Sequence, residues 1–270
     1  LLKKGSLYKV YNNNLLYHGC IPLNEDGSFK AVDIYGKKYK GKALYEILEA
    51  YVRKAFVAID ENEKEKGKDI LWFIWSSPGS PLFGKQKMAT FERYFLAEKE
   101  THEEKKNPYY RLLEDETVIN RIMREFGLEE GCAHIVNGHV PVHHAAGESP
   151  IKCNGKVLVI DGGFSKAYQK ETGIAGYTLI YNSWGMILAA HEPFTSAEDA
   201  ITRETDILSD SILVKRSMIR KTVEDTDNGR KLKENIEELL KWLDKDEKSN
   251  SPMKRRGGRR RKKVCVFCGK

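Results

Sequence analysis

Three short apolar runs in this chain each stop at a glycine beside a histidine or an aspartate. Leu15-Leu16-Tyr17 runs into His18-Gly19, and Ile135-Val136 into Asn137-Gly138-His139. Val157 to Ile160 runs into Asp161-Gly162-Gly163. Runs of this length and composition read as strands. Glycine at their ends allows a sharp turn and lets a ligand approach the backbone closely. Open α/β sheets bind their ligands at the rim where strands end. The pattern therefore predicts an α/β fold with imidazoles displayed at a sheet edge.

The rest of the chain supplies both element types. Leu7 to Tyr11, a turn at Asn12-Asn13-Asn14 and Leu15 to His18 predict a β-hairpin. Asp26-Gly27 marks a turn before a short alternating segment at Val32-Asp33-Ile34-Tyr35. Leu44, Ile47, Leu48, Tyr51 and Ala55 recur at helical spacing, predicting an amphipathic helix over 42–58. Glu61 to Asp69 is charged and reads as a loop, and the aromatic cluster Leu71 to Trp75 precedes a Ser/Pro/Gly loop through Gly84. A helix is predicted from Thr90 to the stop at Asn107-Pro108, and another from Asp115 to Phe126-Gly127. Tyr177–Tyr181 and Met186–Ala190 flank Asn182-Ser183-Trp184-Gly185 as a hairpin, and 196–208 reads as helical. Leu232, Ile236, Leu239, Leu240 and Leu243 mark a last helix. From Asp244 to Pro252 the composition turns polar and predicts a linker. No internal repeat is present.

The formal charge of +7 over 270 residues is an uneven average. Residues 253–270 hold nine Lys/Arg and no acid, and the remainder carries 37 basic against 39 acidic residues. Charge therefore gives no case for nucleic-acid binding by the body of the chain. No apolar run approaches the roughly 18 residues needed to cross a bilayer, and the opening residues read as strand-like, so that no signal peptide is expected there. Five scattered cysteines argue against a disulfide scaffold and point to a reducing cytoplasm.

His18 and His139 share one context, a strand end with an adjoining glycine. Neutral imidazole is a good ligand for divalent transition metals, and phosphatase centres combine such histidines with carboxylates. Taken singly, each is more often a packed or surface histidine. Asp161 and its glycines could bring a carboxylate or backbone N–H groups beside a phosphate, and a plain strand end explains them as well. Lys166 and Tyr168 could contact a phosphate by charge and hydroxyl, against the commoner reading of a solvated loop. Gly173-Ile174-Ala175-Gly176 is too short a pattern to name a nucleotide loop. Arg93, Lys99, His102, Lys105 and Lys106 read as a solvated helix face. His143, His144 and His191 carry no assigned role. Cys265 and Cys268 have the spacing of half a zinc site or of a redox pair, with no second pair after them.

The segments LKKGSLYKVYNNNLLYHGCIPLNEDG, FGKQKMATFERYFLAEKETHEEKKNPYY, HIVNGHVPV and KVLVIDGGFSKAYQKETGIAGYTLIYNSWGM strongly resemble the class III, Firmicutes-type fructose-1,6-bisphosphatases. The likeness runs from about Lys3 to about Leu243. Those enzymes look like calcineurin-type metallophosphoesterases, which hydrolyse phosphate esters with two metal ions in a four-layer αββα sandwich. The resemblance implies an α/β fold here, namely the C-terminal part of such a sandwich with peripheral helices. It matches the two histidine motifs of that superfamily to His18 and His139, as ligands sharing one metal. Its other motifs, D-x-H, G-D-x-x-D-R-G and G-N-H-D, have no match. The bridging aspartate, the catalytic histidine and a phosphate-binding arginine belong to those motifs, so the catalytic residues are expected outside this sequence.

The expected organisation is a metallophosphatase portion over 1–243, a linker over 244–252 and a basic, disordered tail with its CxxC over 253–270. The tail resembles the start of the bacterial eighteenth small-subunit ribosomal protein. The implied cofactor is Mn2+, dinuclear in the complete enzyme. The implied reaction removes the 1-phosphate of fructose 1,6-bisphosphate in gluconeogenesis. Asp161 to Tyr168 and Gly173 to Tyr177 are candidate loops near the substrate. The chain is expected to look like the last third to two-fifths of such an enzyme, to be inactive alone and to leave open sheet edges. Two other readings stay open: a non-catalytic metal-binding or regulatory module, and an RNA-associated protein acting through its tail. Homo-oligomer formation also stays open.

Overall fold

The computed structural model describes residues 2–129, 131–163, 165–193, 196–203 and 209–249. It divides into two compact units, Leu1–Lys221 and Thr222–Lys270.

The first unit is built on a five-stranded mixed sheet. Strands β1 (Tyr8–Tyr11) and β2 (Asn14–Tyr17) form the predicted hairpin, with Lys9 opposite Leu16. Asn12 and Asn13 take φ of +48° and +58°, the left-handed pair that a two-residue hairpin turn requires. β3 (Val32–Ile34) and β4 (Lys37–Tyr39) make a separate small hairpin. β5 (His134–Asn137), β6 (Ile151–Lys152) and β7 (Val157–Val159) complete the main sheet in the order β1-β2-β5-β7-β6. β2, β5 and β7 run parallel as its central strands.

Alternation along those strands decides what each sheet face meets. Leu15, Tyr17, Ile135, Val157 and Val159 point to one side and join the main core. Two helices close that side. α1 (Gly41–Val57) contributes Tyr45, and α4 (Glu116–Glu125) contributes Val118, Ile119, Ile122 and Met123. Asp115 caps α4 as predicted, accepting from the Thr117 and Val118 N–H groups. The opposite face presents Val136 and Leu158, which pack with Met186, Leu179 and Val214. Those three residues belong to a second sheet of β8 (Gly176–Asn182), β9 (Gly185–His191) and β10 (Ser209–Arg216), in the order β10-β9-β8. Unit 1 thus layers helices, a mixed sheet and a second, antiparallel sheet. Where β1 and β2 continue this second face, Tyr11 and Leu16 are left exposed.

Several sequence expectations are corrected. Residues 61–69 are not a loop, because α2 runs from Glu61 to Ser76. Asp60 caps it by accepting from Asn62 and Glu63, and Lys64–Glu61 and Lys68–Glu65 pairs brace its polar turns. The helix expected from Thr90 is short: α3 covers Thr90–Phe95, followed by a 3-10 turn at Lys99–His102. Of the helix expected over 196–208, α6 covers Ala197–Arg203, and Ser209 already begins β10. α5 (Lys166–Thr172) ends at Gly173, whose φ is +80°.

In the second unit, α7 (Asp227–Ser249) extends past the predicted helix and through the first six positions of the expected linker. Residues 253–270, with Cys265 and Cys268, lie outside the described residues. Among the described residues, no helix is long and apolar enough to cross a membrane. Cys20, Cys132 and Cys153 are free thiols.

Candidate functional site

The three apolar runs that end at glycine are neighbouring parallel strands. His18 follows β2, His139 follows β5 by two residues and Asp161 follows β7 by two. Their side chains therefore meet at one end of the sheet, the carboxyl end at which open α/β folds collect ligands. All three line one cleft of about 980 Å³, together with Asn137 and Gly138.

Several contacts hold the ends in place. The Gly138 N–H donates to the His18 carbonyl at 3.0 Å, and the Ile160 N–H donates to the Asn137 carbonyl at 2.9 Å. Asn137, 2% exposed, donates through Nδ2 to the Gly19 carbonyl at 3.2 Å. Gly19 is where the Ser/Pro/Gly loop packs. A Cβ there would lie 2.5 Å from the Pro81 carbonyl oxygen and 2.8 Å from that of Leu82. Only glycine admits the loop this close.

That loop sets the tautomer of His139. Phe83, fixed by its N–H bond to Ser80 Oγ, offers its carbonyl to His139 Nε2 at 3.0 Å. A carbonyl only accepts, so Nε2 carries the proton and Nδ1 of the neutral ring is left with a lone pair. Nδ1 lies 3.0 Å from His18 Nε2, the rings being 64° apart. In the metal-free protein His18 Nε2 is then the donor. Burial first, then the neighbouring His18, push the His139 imidazole below its usual pKa, outweighing the Phe83 bond and Asp161. The ring is thus kept neutral, the form that ligates metals. His139 also takes φ +70°, an uncommon conformation for a residue with a side chain.

The donor set fits part of a divalent ion's sphere. Two imidazole nitrogens bound at about 2.1 Å with a right angle between them would be about 3.0 Å apart. A carbonyl on the far ring nitrogen is the usual outer partner of a metal-bound histidine. Among the described residues, however, no cluster of three or more His, Cys, Asp or Glu is placed to hold a metal. The Asp161 carboxylate instead accepts from the Gly163 N–H at 2.9 Å.

Of the other predicted residues, none whose side chain is described lines the cleft. Lys166 and Tyr168 start α5, and their side chains lie outside the described residues. Gly173 to Tyr177 is packing: Ile174 and Tyr177 are buried, and a Cβ on Gly162 would meet Gly176 Cα at 2.6 Å. His102 bonds the Glu92 and Leu96 carbonyls, and Arg93 pairs with Glu104. Sequence reasoning missed the Phe83 carbonyl, Asn137 and the cleft-lining Lys3, Lys4, Lys9 and Arg53.

The sequence model of the Firmicute fructose-1,6-bisphosphatases matches residues 1–248. The chain belongs to that family. It is 58% identical over 240 residues to a class 3 fructose-1,6-bisphosphatase of Clostridioides difficile, covering 88% of this chain and 36% of that protein. The namesake from Clostridium acetobutylicum is 57% identical with the same coverage. One from Listeria monocytogenes is 55% identical over 90% of this chain and 38% of its own length. The chain thus spans a little over a third of the length of these relatives. No solved structure matches it. The resemblance read from the four quoted segments is borne out, and the family match ends before the basic tail.

Proposed function

We propose that this chain supplies the two-histidine part of a dinuclear phosphatase centre that hydrolyses the 1-phosphate of fructose 1,6-bisphosphate. The carrying observation is the His18–His139 pair, 3.0 Å apart at the ends of adjacent parallel strands in a chain of this family. His18 Nε2 and His139 Nδ1 would hold one ion, with manganese as the proposed metal. Bound divalent ions would polarise the phosphoryl oxygens and lower the pKa of water. The chain's own part is positional. Phe83 keeps the proton on the far side of His139, and Asn137 ties β5 to the turn after His18. Asp161 adds a carboxylate to the lining of the same cleft. Water would attack phosphorus in line as the bond to the sugar oxygen breaks, releasing fructose 6-phosphate.

The layering of helices, mixed sheet and second sheet supports three layers of a four-layer αββα sandwich. The metallophosphatase class, a role in gluconeogenesis and a cytoplasmic setting belong to the same reading, which fits the free thiols. Because only two donors converge among the described residues, the remaining ligands are proposed to come from parts of the family's polypeptide that this chain does not span. The isolated chain would then have no useful activity.

The test is phosphate release from fructose 1,6-bisphosphate with Mn2+. The chain alone should stay at background. Co-expression with the part of the Clostridioides difficile relative that it does not cover should restore turnover, and His18→Ala or His139→Ala should abolish it. Turnover by the chain alone, or full activity in the complemented His139→Ala variant, would sink the proposal. A complemented complex that binds Mn2+ through both histidines and stays inert would favour the non-catalytic reading.

A further inference from the structure

The cleft has a second wall of different chemistry. Besides the imidazole pair, its lining includes Lys3, Lys4 and Lys9, together with Arg53. Asp161 is the one acid among the described lining residues.

Two features set this wall apart from an ordinary solvated face. Lysines along the helices are largely neutralised: Lys42, Lys54, Lys64, Lys66 and Lys68 each pair with a glutamate. No ion pair among the described residues involves Lys3, Lys4 or Lys9. The segment carrying Lys3 and Lys4 is also clasped in place. Arg53 donates to the Leu2 carbonyl and, at 2.6 Å, to that of Gly5. Glu49, one helical turn earlier and paired with Arg53, accepts from the Leu7 N–H at 3.1 Å and from the Ser6 hydroxyl at 2.7 Å. Lys9 comes from the neighbouring strand, where its pairing with Leu16 puts it on the face that Val136 shares. The wall is thus pre-organised by an ion pair that uses up Arg53 and Glu49 and leaves three ammonium groups unpaired.

We infer that Lys3, Lys4 and Lys9 bind the phosphate that is kept, so that one cleft grips a sugar bisphosphate at both ends. The inference rests on the reading of His18 and His139 as the reacting end. A compact ammonium group is a good point-charge partner for phosphate. Three unpaired ones over a pocket with a single acid favour a dianion. A cleft of about 980 Å³ is at the upper end of sizes usual for small-molecule sites.

The test uses the full chain in metal-free buffer, with fructose 6-phosphate as the probe because it carries only the retained phosphate. Titration followed by amide NMR should move the signals of residues 3–9 saturably. Unphosphorylated fructose should leave them unmoved. A Lys3→Ser/Lys4→Ser/Lys9→Ser variant, altered only at exposed side chains, should bind at least tenfold more weakly. Arg53→Gln, which frees the segment without removing a lysine, should also weaken binding. An unchanged affinity in the triple variant, or equal response to fructose, would overturn the inference. Equal affinity for inorganic phosphate would overturn the sugar-phosphate assignment. Mn2+ broadening of the His18 and His139 signals is read separately. Its absence, with the lysine response intact, would defeat the reading of the metal end and not the phosphate wall.

Discussion

At the scale of single residues, His134 shows what burial does to an imidazole that has no work in the cleft. It starts β5 on the face toward the second sheet and is 7% exposed, with Nδ1 lacking a partner. Burial first, then the charges of Lys215 and Lys221, lower its pKa to about 4. The folded protein therefore holds the neutral ring, while the unfolded chain takes up a proton below about 6.5. Its contribution is fully present above pH 6.5 and is lost as pH falls toward 4. A shift of this size corresponds to at most about 3 kcal/mol. Urea unfolding of wild type and His134→Gln at pH 7 and pH 4.5 should show a smaller loss of stability in the variant. Equal losses would mean that the ring already binds its proton in the folded state. His139, five residues on, is also pushed down by burial, yet its two ring nitrogens are both engaged. Of these two histidines at the ends of one strand, only His139 meets a glycine and a converging neighbour, which is why the proposed role falls to it.

At the scale of elements, what could be read from the sequence followed where the signal was local. The β1–β2 turn was legible because two asparagines tolerate left-handed φ, and α1 because Leu44 and Leu48 repeat at helical spacing into a core with Val52. α2 was not legible. Glu61 to Asp69 shows no apolar period, and the stretch is held by a cap, ion pairs and a contact with α1 that one sequence window does not contain. Gly67 makes that contact: a Cβ there would lie 2.0 Å from Ala55 Cβ. The site divides in the same way. His18 and His139 were marked by their strand ends and by the family likeness. The Phe83 carbonyl and the lysine segment were hidden, because a carbonyl has no residue signature and a clasp from Glu49 and Arg53 exists only after folding. The Gly67 contact can be tested directly. Gly67→Ala gains up to about 1 kcal/mol of helix propensity but forces α1 and α2 apart, which costs about 1–3 kcal/mol. A net loss in urea unfolding is expected, and Ala55→Gly in the same chain should recover most of it. A Gly67→Ala protein more stable than wild type would show that the helices can separate freely.

At the scale of the whole molecule, all three hydrophobic clusters are drawn from residues up to Val214. The first unit therefore owns every buried core among the described residues. In the second, Leu232, Ile236, Leu239, Leu240 and Leu243 are each more than half exposed along α7. A helix of 23 residues exceeds the roughly 12–15 below which isolated helices are marginal in water, yet burial of an apolar face is what supplies most helical stability in proteins. The two units should thus differ sharply in cooperativity. A chain ending at Lys221 should keep the main thermal transition of the 270-residue protein, with a midpoint within about 2 °C. The helical circular dichroism of α7 should fade early and gradually on heating the full chain. Amide exchange makes the comparison residue by residue, since protection should be high at Leu15, Ile135 and Val157 and low from Asp227 onward. Loss of the main transition on truncation would mean that residues 222–270 stabilise the sheet that carries His18 and His139. The lysine wall and the imidazole pair would then depend on the second unit for their alignment.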